Sequence, residues 1–69
     1  MNPLNLTTCA RIIRRHYGLS RPVTPDEVHA EITNLIRRTK AGTLDDQDGY
    51  LAASLSPWSP ELNQAEYEA

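Results

Sequence analysis

The sequence predicts an all-α fold, a small bundle of three to four short helices built on a helical pair. Apolar residues recur at helical spacing over 6–17 and again over 25–41. Start and stop signals bracket both stretches. Beyond them, Pro57 and the run Ser59-Pro60-Glu61 divide the remaining chain into further short helical segments.

The first helix follows from Leu6, Cys9, Ala10, Ile13 and Tyr17, with Ile12 and His16 broadening the stripe. Asn5 or Thr7 is placed to cap its start, and Gly18 suits the left-handed residue just past its end. Arg11, Arg14 and Arg15 share the opposite face, at i, i+3 and i+4. A connector from Leu19 to Val23 follows, where Pro22 disfavours helix at Arg21.

The second helix, 25–41, has the strongest local signal. Thr24-Pro25-Asp26-Glu27 is a capping box in which Glu27 reaches back to the cap amide. Val23 and Val28 are spaced as a hydrophobic staple. Asp26 and Glu27 lie at the positive end of the helix dipole, and Arg37, Arg38 and Lys40 at the negative end. Val28, Ile32, Leu35 and Ile36 form the apolar stripe, and Gly42 closes the helix.

A third helix is expected to begin at a Thr43 cap, or in a shorter form at an Asp48 cap, and to end at Pro57. In the longer form Leu44, Leu51 and Leu55 align on one face, with Gly49 a mild penalty. Ser59-Pro60-Glu61 opens the last segment, with Leu62, Ala65 and Ala69 as its apolar positions. The chain thus divides into a helical domain at 1–58 and an acidic helix or frayed tail at 59–69.

Charge is sharply segregated. Residues 1–42 carry seven Lys/Arg against Asp26, Glu27 and Glu31, a net of +4, and no Lys, Arg or His follows Lys40. Residues 43–69 carry Asp45, Asp46, Asp48, Glu61, Glu66 and Glu68, a net of −6. Such a dipolar chain suits macromolecular binding, self-association, or one half folding back on the other. A 69-residue chain with no Phe and one Trp buries little surface, so a homodimer or an obligate partner is expected.

One cysteine excludes an internal disulfide and fits a reducing compartment. No apolar run approaches a membrane span, and no signal-peptide core is visible at the N-terminus, so a cytoplasmic protein is expected.

No catalytic or metal constellation emerges. Cys9 and His16 share a face, but seven residues of helix separate them by roughly 10 Å, beyond nucleophile–base reach. Cys9 is better read as a small core residue. The histidines and Cys9 lack the close ligand pairs of zinc modules. Aligning Gly49 with position 6 of a calcium loop puts Leu44 and Leu55 where carboxylates are needed. No enzyme activity, cofactor or metal is expected.

Arg11, Arg14, Arg15, Arg37 and Arg38 are the candidate partner-binding residues, together with Trp58. Trp58 sits between Pro57 and Pro60 and serves either as a lid over the core or as an anchor for a partner. A helix-turn-helix is disfavoured by the seven-residue connector from Gly18 to Thr24 and by the acids opening the second helix. In size, arginine-over-lysine bias and lack of catalytic motifs, the chain resembles small accessory proteins of bacterial viruses, in type and not by motif. The expected function is that of a non-enzymatic protein-binding regulator, an inhibitor or adaptor whose partner is another protein. The alternative is a small DNA- or RNA-binding regulator using the arginine edge.

Overall fold

The computed structural model describes residues 4–68. Among these it is all-α: α1 (Leu6–Tyr17), α2 (Pro25–Ala41), α3 (Asp46–Leu55) and α4 (Pro60–Glu68), with a 3₁₀ turn at Ser56–Trp58. The radius of gyration is 11.2 Å, against about 11 Å for a compact chain of this length.

Local chemistry sets each boundary. The Asn5 side chain, not Thr7, caps α1 by accepting from the Thr8 N–H at 3.0 Å. Gly18, at φ 65°, closes α1, because its left-handed backbone turns the following Leu19 N–H onto the Arg14 carbonyl at 3.0 Å. The capping box of α2 is complete: the Glu27 N–H donates to Thr24 Oγ1, and the Thr24 N–H donates to Glu27 Oε1, each at 3.2 Å. Such a cap contributes about 1 kcal/mol. Val23 and Val28 are both buried in the core, as the staple requires.

The start of α3 differs from the expectation. Neither Thr43 nor Asp48 caps it; Asp45 does, accepting from the Asp48 N–H at 2.8 Å. The Thr43 amide is committed to closing α2 through the Arg38 carbonyl. Leu44 then packs half-buried against the core, which holds the chain extended for one more residue before the helix begins. Leu51 and Leu55 face the core from α3 as expected, while Leu44 reaches it from the loop.

The last segment forms a helix that packs against α2. Ser59 is buried and caps it weakly, its Oγ 3.4 Å from the Leu62 N–H. Leu62 and Ala65 are buried, and Leu62 is completely enclosed. Ala69 lies outside the described residues.

One core joins these elements. Cys9 and Ile13 from α1 meet Val28, Ile32 and Leu35 from α2, Leu51, Ala52 and Leu55 from α3, and Leu62 from α4. The centres of both apolar stripes, Cys9 and Ile13 on α1 and Val28, Ile32 and Leu35 on α2, are therefore covered within a single copy of the chain, while Leu6 and Tyr17 at the ends of the α1 stripe stay exposed. Trp58 takes no full lid role, since it is 41% exposed. Its backbone does the tying instead: the Trp58 carbonyl accepts from the Asn5 N–H at 3.1 Å and faces the Cys9 thiol at 3.8 Å. No helix among the described residues is long and apolar enough to cross a membrane.

Thr39 is the exception in the buried layer. It is 8% exposed, and its Oγ1 has no hydrogen-bond partner among the described residues. A buried hydroxyl without a partner costs on the order of 1–3 kcal/mol, and valine has nearly the same shape without that group. Thr39→Val is expected to stabilise the protein by about 1 kcal/mol, raising the melting temperature by roughly 4–8 °C. A lower melting temperature for the variant would show that the hydroxyl is satisfied.

Candidate functional site

The basic residues divide into those with a task inside the fold and those without one. Arg21 forms a bidentate pair with Glu27, with both N–O distances 2.7 Å. The hydrogen bonds from Arg21 hold the Glu27 carboxyl down to about 2, helped by the Thr24 backbone amide. Arg38 pairs with Asp48 of α3, whose side chain is only 16% exposed. Lys40 lies 4.0 Å from Glu68 of α4, at the outer limit of an ion pair. Arg37 donates to Asn34 Oδ1 at 2.6 Å.

Two of these pairs, Arg38–Asp48 and Lys40–Glu68, cross from the basic half to the acidic half. The acidic half thus folds back on α2. Because Asp48 is largely buried, its pair with Arg38 is less screened by salt than the exposed Lys40–Glu68 contact.

The three arginines of α1 are not equivalent. Arg14 turns inward along its own helix end: its Nε donates to the Leu19 carbonyl at 3.2 Å and its Nη2 to the Ser20 carbonyl at 3.4 Å. That satisfies carbonyls just beyond the helix and places a cation at the negative end of its dipole. Arg11 and Arg15 are exposed and have neither an ion pair nor a hydrogen bond among the described residues. Arg11, Arg14 and Arg15 line a shallow depression at the end of α1, and Arg37 and Arg38 are not part of it.

Arg11 and Arg15 also form one wall of a second, deeper feature. α1 and α3 run antiparallel: the amide preceding α1 binds the carbonyl of Trp58, while Tyr17 at the other end feels the charge of Asp48. Between them lies a groove of about 430 Å³, walled by Arg11, Arg15 and His16 on one side and Tyr50 and Ser54 on the other, with Ile12 and Leu51 at its base. Tyr50 is 73% exposed. The position of Tyr50 beside the arginines was not read from the sequence, because it depends on how α3 docks.

The Cys9 and His16 pair does not assemble into a nucleophilic site. Cys9 is fully buried, and burial pushes its thiol pKa up, away from the reactive thiolate. His16 points to the groove and makes an edge-to-face contact with Tyr17 at 4.8 Å. Among the described residues, no group of three or more His, Cys, Asp or Glu side chains converges as metal ligands would.

Tyr17 fastens α1 to α2. Its hydroxyl donates to Glu31 Oε1 at 2.7 Å. That bond first, then burial and the negative charge of Glu31, raise its pKa from the usual value near 10 to about 12. The chain matches no known protein-family model, and neither a curated protein nor a solved structure resembles it.

The Tyr17 bond has a pH signature. Its protonated form is the bonded one, so its contribution to stability is complete below pH 10 and is lost as pH rises toward about 12. Phenolate absorbance followed through an alkaline titration is expected to show a late component near pH 12. Tyr17→Phe should remove that component alone. A loss of amplitude spread evenly over the whole curve would contradict the bond.

Proposed function

We propose that the chain is a non-enzymatic protein-binding regulator, an inhibitor or adaptor, that docks an acidic surface of a partner protein on the arginine edge of α1. The observation that carries this reading is the division of the cations. Arg14, Arg21, Arg37, Arg38 and Lys40 have partners within the fold, whereas Arg11 and Arg15 stand exposed on one helix face with none. A guanidinium suits bidentate recognition of a carboxylate, and arginine is enriched at protein interfaces. Trp58, 41% exposed at the opposite end of α1, supplies a further anchor of the kind that partners bury. The buried, pKa-raised thiol of Cys9 supports the non-enzymatic part of the reading, and a cytoplasmic setting suits a lone free cysteine.

The nucleic-acid alternative draws on the same edge, and magnitude separates the two. Two free guanidiniums neutralise about two phosphates, against the 6–10 contacts that make duplex binding tight. Asp26 and Glu27 at the start of α2 and the acids of 43–69 oppose the approach of a polyanion.

The test uses the tagged chain and its R11E/R15E variant as baits in extract of the organism that encodes it. The expected result is an acidic protein retained by the wild type, lost from the variant, and released by raising salt well above about 150 mM, where screening shortens to less than 8 Å. Retention that nuclease abolishes, or a tight mobility shift of duplex DNA at about 150 mM salt, would overturn this reading in favour of nucleic acid.

A further inference from the structure

The surface that flanks the groove between α1 and α3 is not uniformly basic. On α3, Asp46, Tyr50 and Ser54 succeed one another at i, i+4 and i+8, so they form one row along the helix. On α1, Arg11 and Arg15 form the facing row at i and i+4. Asp46 is exposed and has no ion pair, since the cap of α3 is Asp45 and the partner of Arg38 is Asp48. A cationic row and an aromatic row with an acid at its end therefore lie side by side on one face.

We infer that this face is self-complementary and that a second copy of the chain docks on it across a two-fold axis running along the groove. Rotation about that axis lays the α1 row of each copy over the α3 row of the other, at the same height along the helices. Arg15 lies near the level of Tyr50, and Asp46 is four residues further along α3, an axial offset of about 6 Å that an arginine side chain can span. Each copy then pairs Arg15 with the other copy's acid, twice over. The Tyr50 rings, 73% exposed in the single copy, become covered between the two and meet guanidiniums on their faces.

Charge complementarity selects the second copy over other occupants of this groove. An acidic partner spanning both rows would meet Asp46 as a like charge, and a basic one would meet Arg11 and Arg15. A surface carrying both rows in the reverse order turns both repulsions into attractions, and the chain itself presents that surface. The sequence suggested self-association because so short a chain buries little surface. The structure closes the centre of its core within one copy and offers this face for the contact.

The inference shares Arg11 and Arg15 with the proposed partner-binding reading, so second copy and partner would compete. Its test needs no partner. Sedimentation equilibrium of the full chain up to about 200 µM, a range that populates weak, small interfaces, should give twice 7.8 kDa for the wild type. R11E/R15E and D46K should each sediment as a monomer, because each sets like charges against one another at both contacts. Their equimolar mixture should recover the dimer, identified in native mass spectrometry as one chain of each kind. Circular dichroism checks that both variants keep the helical fold. Tyr50→Ser, at a position too exposed to support the core, should weaken the dimer about tenfold or more.

A wild type that stays monomeric throughout overturns the inference and leaves the partner reading standing. A dimer that survives both charge reversals or Y50S, or variants that do not recombine, also overturns it.

Discussion

Among the described residues, α2 is the helix on which the other three converge. In so short a chain no second layer is available, so a single helix must offer an apolar surface to three neighbours. α2 does this with Val28, Ile32 and Leu35, all buried, and with Ile36 half-buried beside them. α1, α3 and α4 each pack on it. Burying a leucine completely, as at Leu35, contributes roughly 1.5–3 kcal/mol, a large share of the 5–15 kcal/mol that separates folded from unfolded states. Its ends are fixed locally by the capping box at Thr24 and the left-handed Gly42.

The charge segregation is the second organising feature, and the fold uses part of it. Arg38–Asp48 and Lys40–Glu68 draw the acidic segments onto α2, so some of the opposite charge in the two halves is matched internally. What remains is not spread evenly. Arg11 and Arg15, without ion pairs, share one wall of the groove, whereas the acids without ion pairs among the described residues include Asp26 on α2, Asp46 on α3, and Glu61 and Glu66 on α4.

Much of the fold was legible in the residues. The limits of α1 and α2 followed from Asn5, Gly18, Thr24 and Gly42, because caps act through neighbours three or four residues away. The structural role of Cys9 followed from its place in an apolar stripe. The start of α3 was misplaced because the competing claim on the Thr43 amide and the burial of Leu44 are set by α2 and the core, which local spacing does not encode. The candidate site was legible only as a list of arginines. Which of them were free depended on distant partners: Asp48 for Arg38, and the backbone beyond Gly18 for Arg14. Tyr50 carried no signal, since its neighbours across the groove come from a helix 34 residues or more earlier in the chain.

The proposed binding surface depends on that division among the arginines, and side-chain dynamics report it directly. Heteronuclear NOEs of the arginine Nε–Hε groups, measured on dilute protein, resolve held guanidiniums from freely rotating ones on the ps–ns timescale. Arg14, Arg21 and Arg38 are expected to show the restrained values of groups fixed by two carbonyls or by a carboxylate. Arg11 and Arg15 should show the low values of free side chains. If Arg11 and Arg15 prove as restrained as Arg38, or Arg38 as mobile as they are, the arginines are not divided as the structure divides them, and the α1 edge loses its claim to be the binding surface.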